Sequence, residues 1–208
     1  MGRIIAIANQ KGGVGKTTTA INLSACLAEA GQKVLLIDID PQGNATSGVG
    51  VDKNNVEKTV YEVILRECDI QDAIISNVYE NLDELPSNVN LAGAEIDLID
   101  VERREYVLKD EISKIRKKYD YIIMDCPPSL SMLTVNAMTA ADTVLVPIQC
   151  EYYALEGLSL LLILQRKNLI RILKWKVLSL QCLIQELICH YRLLKMLKII
   201  LIRIYIRQ

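Results

Sequence analysis

The sequence predicts an α/β fold in which a doubly wound, mostly parallel sheet carries helices on both faces. Short apolar runs, typical of strands that are covered on both sides, alternate with helical patterns from residue 3 to about residue 157. The first run leads through a glycine-rich turn into a helical pattern, which is how a β–α crossover unit begins. With 208 residues the chain is long enough to bury a sizeable core, and one domain is the natural expectation.

The glycine-rich turn at 9–19 follows the apolar run 4–8 and has the composition of a phosphate-binding loop. Gly12, Gly13 and Gly15 carry no Cβ, so the backbone can fold tightly and direct successive N–H groups at one anion. A helix that starts directly after the loop adds favourable electrostatics for a phosphate. The sequence therefore predicts a P-loop NTPase-like fold whose first loop holds a nucleotide.

Two side chains after the glycines complete this predicted site. Lys16 supplies a positive charge for the terminal phosphates, and the Thr17 hydroxyl is placed to bind a Mg²⁺ ion that bridges them. ATP and Mg²⁺ are the expected cofactors. The predicted nucleotide-binding residues are Lys11, Gly12, Gly13, Val14, Gly15, Lys16, Thr17 and Thr18.

The loop departs from the strict pattern G-x-x-x-x-G-K-[ST], because Gln10 stands at the first glycine position and Lys11 is an additional lysine. Two lysines so close would repel each other in an empty site. Lys11 is therefore expected to bind the negatively charged phosphates of an ATP, which another subunit could hold. The run KGGVGKTT resembles the deviant Walker A motif of the ParA/MinD superfamily of ATPases. That resemblance implies that Lys11 reaches across an ATP-dependent homodimer and that Lys11 and Lys16 both act in catalysis.

Asp38 and Asp40 form a second group of candidates at the end of the predicted strand 33–39, which follows a predicted helix at 18–30. Side-chain alternation places both carboxylates on the same side, where both can face the phosphates or the metal. The stretch DIDPQGNATSGVG resembles switch I of the ParA/Soj form of the family. By that resemblance Asp40 is a catalytic residue that orients or activates the attacking water, a role that needs a positioned acceptor.

The predicted strand 119–125 ends in a third carboxylate, Asp125, after a run of apolar residues. This is the Walker B pattern, in which an aspartate at a strand tip holds the magnesium shell opposite Thr17. The predicted metal-binding residues are therefore Thr17 and Asp125. The run CPPS that follows resembles the family's switch II, and residues 149–157 also match the ParA/Soj form.

The middle of the chain carries fewer chemical signals. Its segment LDELPSNVNLAGAE resembles the ParA/Soj family, although Glu84 is an unusual charge within a strand. The basic run 116–118 is typical of a helix C-terminus, with a DNA contact as the alternative. The remaining predicted elements are helices at 56–66, 69–75 and 131–140, strands at 81–85 and 143–148, and a long amphipathic helical region at 92–118.

Charge divides the chain into two different parts. Residues 158–208 carry ten Lys and Arg and one acid, whereas residues 1–157 carry 14 basic and 24 acidic residues. The acidic part argues against indiscriminate nucleic-acid binding by its whole surface, without excluding a local basic patch. The six cysteines form no C-x-x-C pair and His190 is the only histidine, so no zinc or haem site is expected and the thiols are interpreted as reduced and mostly buried.

Residues 158–208 depart from the family. They contain 25 Leu plus Ile and no Gly, Pro, Asp, Ala or Thr, a composition that fits neither one long helix nor a set of strands. The predicted organisation is an ATPase domain at 1–157 and an atypical tail at 158–208, which leaves the sheet incomplete at the C-terminus with an aggregation-prone edge. We hypothesise that the tail is translated out of frame; a membrane-surface helix and a genuine, unusual segment are the alternatives.

The resemblance implies a chromosome or plasmid partitioning ATPase that dimerises on ATP, binds DNA non-specifically and hydrolyses ATP slowly when a ParB-like partner stimulates it. Such a protein is expected to be cytoplasmic and nucleoid-associated. A MinD-like, membrane-associated cell-division ATPase is the alternative, but Gln10 and the run DPQGNATSG favour partitioning. A third possibility is an inactive truncated or frameshifted member of the family. No run reaches the roughly 20 apolar residues of a transmembrane helix, so no transmembrane segment is expected.

Overall fold

The computed structural model describes residues 1–149 and 174–180, which contain one seven-stranded sheet. The strands are β1 (Arg3–Ile7), β2 (Val34–Asp38), β3 (Ile75–Tyr79), β4 (Leu82–Leu85), β5 (Tyr121–Asp125), β6 (Thr143–Gln149) and β7 (Lys174–Leu180). Their order across the sheet is β3-β4-β2-β5-β1-β6-β7. Only the pair β3–β4 is antiparallel, and the other five neighbouring pairs are parallel. The predicted mostly parallel sheet is confirmed.

Helices cover both faces of this sheet, as the sequence predicts. The α-helices are α1 (Lys16–Glu29), α2 (Asn44–Gly48), α3 (Val60–Ile64), α4 (Ile70–Ala73), α5 (Ala94–Asp97), α6 (Val107–Ile115) and α7 (Met132–Ala140). On one face, α1 packs its apolar stripe against alternate residues of the central strands, and this core includes Leu23, Ile5 and Leu36. On the other face, α3 to α7 cover the remaining residues of the same strands. Since successive strand residues point to opposite faces, continuous apolar strands need both layers.

The sequence did not predict strand β3. The sequence favoured a helix over 69–75, but α4 ends at Ala73 and β3 begins at Ile75. Asn77 in β3 has a left-handed backbone with φ 56°, and the pairing register with β4 shifts there. A residue in this conformation interrupts the two-residue alternation by which a strand is recognised, so the sequence gives no clear strand pattern.

The amphipathic region 92–118 is not one helix. It contains α5 and α6 together with short 3₁₀ turns at Val89–Gly93, Arg104–Tyr106 and Arg116–Lys118. Arg103 adopts φ 56°, which no continuing α-helix contains. The apolar positions of the region still reach the core, because Val107, Leu108 and Ile112 are buried in α6. The helical spacing of apolar residues therefore predicted the buried face of α6 and missed the break at Arg103.

The basic run Arg116–Lys118 ends the helical region, as its helix-terminus interpretation predicts. The Arg116 side chain donates to the carbonyl of Gly2 at 2.7 Å and pairs with Asp142. Lys118 donates to the side-chain oxygen of Gln71. Two of the three basic side chains thus have partners within the domain, and the hydrogen bond from Arg116 to Gly2 ties the first residues of the chain to the end of the helical region.

The tail contributes one strand to the part of the chain that the structure describes. β7 pairs in parallel with β6 over seven residues, from Thr143–Lys174 to Gln149–Leu180. The sequence predicted no strand there, and among the described residues β7 is the outermost strand on this side of the sheet. The other positions of the tail, including the alternating run 202–207, lie outside the described residues. Among the helices at 1–149 none is long and apolar enough to cross a membrane.

Candidate nucleotide site

Three central strands end at the same edge of the sheet and bring the predicted site residues together. β5 lies between β1 and β2, with Ile7 opposite Asp125 and Asp38 opposite the same Asp125. The loop after β1 therefore starts beside Asp125 and close to the end of β2. Ligands of open α/β sheets bind outside the carboxyl ends of the strands, so the candidate site is where this architecture favours one.

The glycine-rich loop has the backbone of an anion cradle. Gly13 and Gly15 have φ 72° and 85°, in the left-handed region that glycine adopts without strain. Gly15 is the N-cap of α1, and among the described residues no side chain caps the N–H groups of that helix terminus. A Cβ added at Gly12 or Gly13 would meet no heavy atom within 4 Å, so open space lies over the loop. Uncapped N–H groups that face open space fit a phosphate group.

Lys16 is a buried cation at this loop. It is only 7% exposed, and its ammonium donates to the carbonyl of Lys11 at 3.1 Å. Burial lowers the pKa of Lys16, while the carboxylates of Asp125 and Asp40 act in the opposite direction. A cation held inside the loop near open space is suited to pair with the terminal phosphates of a nucleotide.

Asp125 is fully buried, and neither of its carboxylate oxygens has a hydrogen-bond partner among the described residues. Burial above all, together with nearby Asp38 and Asp40, raises its pKa to about 7. The Thr17 hydroxyl opposes this rise without reaching the geometry of an ordinary hydrogen bond. A buried carboxylate without a partner is costly unless a cation compensates it, so the pair Thr17 and Asp125 fits a Mg²⁺ ion with its water shell.

Asp40 lies beside these groups and is 9% exposed. One of its carboxylate oxygens accepts from the backbone N–H of Gln42 at 2.9 Å. Its own backbone is held on both sides, because its N–H donates to Asp38 at 3.0 Å and its carbonyl accepts from the Ser87 hydroxyl at 2.8 Å. The candidate water-positioning residue thus sits on a fixed backbone, which its sequence context did not reveal.

Asp38 ends β2 opposite Asp125, and its hydrogen bonds hold the loop after β2. Its carboxylate accepts three hydrogen bonds, one from the N–H of Asp40 and two from the backbone and hydroxyl of Thr46. Burial raises its pKa, and these hydrogen bonds oppose the rise. That Asp38 faces the phosphates or the metal stays a prediction. The sequence did not identify Thr46 as a partner, because the two residues are eight positions apart and no motif links them.

The other predicted loop residues differ in exposure. Gly12, Gly13 and Thr18 are exposed, Lys11 is half-buried, and Val14 is buried in the protein. The structure adds Asn9, which the sequence did not single out. Its side chain donates to the Pro147 carbonyl at 2.7 Å and accepts from the Lys11 N–H at 3.1 Å, so it anchors the loop to β6.

Comparisons with known proteins identify the family. A family model described as an AAA domain matches residues 2–179. The sporulation initiation inhibitor protein Soj of Bacillus subtilis is 59% identical over 162 residues, which is 78% of this chain and 64% of that protein. The chain belongs to the ParA/Soj type of the ParA/MinD superfamily. The resemblance carried by the loop and switch motifs is confirmed.

Further relatives of ParA/Soj type agree. The chromosome partitioning protein ParA of Myxococcus xanthus is 54% identical over 159 residues, or 76% of this chain and 56% of that protein. ParA of Caulobacter vibrioides is 52% identical over 162 residues, covering 77% of this chain and 61% of that protein. The matched part of the chain thus spans only about 56–64% of the length of these relatives.

Solved structures of the superfamily share the fold. A plasmid partition protein from Borrelia burgdorferi has a TM-score of 0.79 at 34% identity, covering 96% of this chain and 87% of that one. The cobyrinic acid a,c-diamide synthase from Mycobacterium smegmatis, solved with bound ATP analog and magnesium, has a TM-score of 0.81 at 41% identity. That superposition covers 86% of this chain and 75% of the other. The ParA-like, P-loop NTPase-like architecture is therefore confirmed.

Proposed function

We propose that this chain is a partitioning ATPase that binds ATP with Mg²⁺ at the loop after β1 and hydrolyses it. The observation that carries the proposal is a combination: Lys16 is buried, and the buried carboxylate of Asp125 and the start of α1 have no side-chain partner in the part of the chain that the structure describes. Lys16 and the loop N–H groups supply positive charge to phosphates, and Asp125 with Thr17 supplies oxygen ligands to a metal. Magnesium bound there would neutralise charge that develops on the phosphate oxygens.

Different residues of the chain have separate roles in binding and hydrolysis. Backbone N–H groups of residues 12–18 orient the phosphates, and Lys16 approaches the terminal ones. Asp40 accepts a hydrogen bond from the attacking water and thereby holds it in line with the phosphorus. Lys11, half-buried at the mouth of the loop, extends toward the nucleotide of a second copy in an ATP-dependent homodimer.

The biological role follows the relatives. Proteins named for chromosome partitioning and plasmid partition are among those most similar to this chain. Hydrolysis is accordingly proposed to be slow alone and stimulated by a ParB-like partner on non-specifically bound DNA, which would associate the protein with the nucleoid. Because the chain spans part of its relatives, the DNA-binding and partner-binding residues have no assigned positions.

Steady-state phosphate release with DNA and a ParB-like partner tests the activity. The variant Lys16→Gln should lower hydrolysis at least about 100-fold, because it removes the cation nearest the terminal phosphates. Lys33→Gln is the matched control, since Lys33 is exposed and lies directly before β2, at the opposite end of that strand from the site. Hydrolysis that survives in Lys16→Gln, or wild-type protein with no turnover under these conditions, would overturn the proposed activity.

A further inference from the structure

Four residues form a closed ring of buried hydrogen bonds around the backbone of Asp40. The Asp40 N–H donates to Asp38 at 3.0 Å, and the other Asp38 oxygen accepts from the Thr46 hydroxyl at 2.9 Å. The same Thr46 oxygen accepts from the N–H of Ser87 at 3.0 Å. The Ser87 hydroxyl then donates to the Asp40 carbonyl at 2.8 Å, which closes the ring. We call this set of residues the Asp40 ring.

The Asp40 ring joins parts of the chain that are far apart in sequence. Asp38 ends β2, Thr46 lies in α2, and Ser87 follows β4 by two residues. Asp38, Thr46 and Ser87 are all fully buried. Buried polar groups with complete partners resist rearrangement, because breaking one bond leaves donors or acceptors unpaired. The ring therefore fixes the loop after β2 against the turn after β4.

Close packing at Gly43 restricts the same loop. Gly43 has φ 60°, and a Cβ there would lie 2.9 Å from the carbonyl oxygen of Ser87. Its N–H donates to the Asp40 carbonyl at 2.9 Å, so that carbonyl accepts a second hydrogen bond. The backbone of Asp40 is consequently held by one hydrogen bond at its N–H and by two at its carbonyl. Its carboxylate lies at the edge of the site near Lys16.

We propose that Thr46 and Ser87 are positioning residues that set the place of the Asp40 carboxylate for hydrolysis. The Thr46 hydroxyl bonds Asp38 and the N–H of Ser87, and the Ser87 hydroxyl bonds the carbonyl of Asp40, so both side chains act on the Asp40 carboxylate through the backbone. This inference rests on the proposed ATPase function and assigns roles to one residue in each of the family-like stretches 38–50 and 82–95. A displacement of a water-positioning carboxylate by about 1 Å is enough to lower turnover by up to about 100-fold.

Hydrolysis and ATP binding, measured on the same variants, test the proposal. Ser87→Ala and Thr46→Val should lower kcat about 10- to 100-fold and leave ATP affinity within about 3-fold, because neither side chain reaches the phosphates. Thr46→Ser keeps the hydroxyl and should retain turnover close to wild type. Ser47→Ala is the matched control, since Ser47 is the exposed neighbour of Thr46. Wild-type kcat in Ser87→Ala and Thr46→Val would overturn the proposal.

A double variant separates positioning from general damage to the fold. Once Asp40→Ala has removed the carboxylate, adding Ser87→Ala should lower kcat no further, because there is no group left to position. Additive losses would mean that Ser87 acts elsewhere and would contradict the proposal.

Amide hydrogen exchange distinguishes failure of this inference from failure of the proposed function. In Ser87→Ala, exchange of the Asp40 and Gln42 amides should rise at least about 10-fold while that of the β5 amides stays unchanged. Wild-type protein that binds ATP without hydrolysing it would overturn the activity, and exchange would still decide whether the ring holds the loop. Unchanged exchange at Asp40 and Gln42 would overturn the ring's role.

Discussion

At the residue scale, the two buried carboxylates Asp125 and Glu84 lie in different surroundings. Asp125 ends a central strand beside a loop suited to phosphate, whereas Glu84 lies inside β4 and is fully buried. Burial above all, together with the neighbouring Asp38, raises the pKa of Glu84 to about 8. Thr46 lies near enough to oppose the rise, yet neither Glu84 oxygen has a partner of ordinary hydrogen-bond geometry among the described residues. Glu84, whose charge was unexpected within a strand, is therefore protonated and neutral near pH 7.

Replacing Glu84 tests this interpretation through the pH dependence of stability. The unfolded chain loses the Glu84 proton near pH 4.5, whereas the folded protein keeps it to about pH 8. The unfolded state therefore binds fewer protons across this window, and stability falls as pH rises through it. Glu84→Gln has no titrating group at this position, so its stability does not fall in this way. The Tm of the variant minus that of wild type should therefore increase by several degrees between pH 5 and pH 8.

Thermal unfolding at several pH values measures this effect, with Glu95→Gln as the control because Glu95 is exposed. A Tm difference between Glu84→Gln and wild type that stays constant from pH 5 to pH 8 would contradict a neutral, buried Glu84.

At the element scale, the sequence predicts what local patterns encode and misses what tertiary contacts decide. The central strands were recognisable because both of their faces are covered, which makes them continuously apolar. The loop at 9–19 was recognisable because glycines, a lysine and a threonine occur at fixed spacing. β3 and the break in 92–118 depend on the left-handed backbone of Asn77 and Arg103, and neither residue type signals that conformation from sequence. The hydrogen bonds of Asp38 with Thr46 were not predicted, because that contact is visible only in three dimensions.

Close packing of Gly2, just before β1, against the backbone after α6 leads to a prediction about stability. A Cβ at Gly2 would lie 2.4 Å from the carbonyl oxygen of Tyr119 and 2.7 Å from that of Arg116, and both are backbone atoms that cannot move independently. Gly2→Ala should therefore destabilise the protein by about 1–3 kcal/mol in denaturant unfolding. Gly93→Ala is the control, since its Cβ would meet ordinary contacts of 3.4 Å or more. Equal stability of the two variants would show that the start of β1 adjusts.

At the scale of the whole molecule, the division into an ATPase domain at 1–157 and an atypical tail at 158–208 remains a prediction. The family model extends to residue 179, and β7 occupies a parallel position beside β6, whereas the Soj and ParA relatives align over 159–162 residues. A parallel strand requires only a short run of suitable residues, so its presence is compatible with either origin of the tail.

The encoding nucleotides test the out-of-frame hypothesis for 158–208. A shifted frame after about codon 157 should encode glycines, prolines and an α/β alternation that continue the family pattern. The control is the stretch upstream of that codon, where the present frame alone should yield the ParA/Soj motifs. Absence of turn residues and α/β patterning from both alternative frames would contradict the hypothesis and favour a genuine segment.

The central claim is that Lys16, Thr17 and Asp125 form one ATP and magnesium site at the carboxyl ends of β1 and β5. Calorimetric titration of the whole chain with ATP, in Mg²⁺ and in EDTA, tests it most directly. We predict one ATP per chain, with affinity at least about 10-fold weaker in EDTA, and loss of this Mg²⁺ dependence in Asp125→Asn. Equal affinity with and without Mg²⁺, or a Mg²⁺ dependence that survives in Asp125→Asn, would contradict the account.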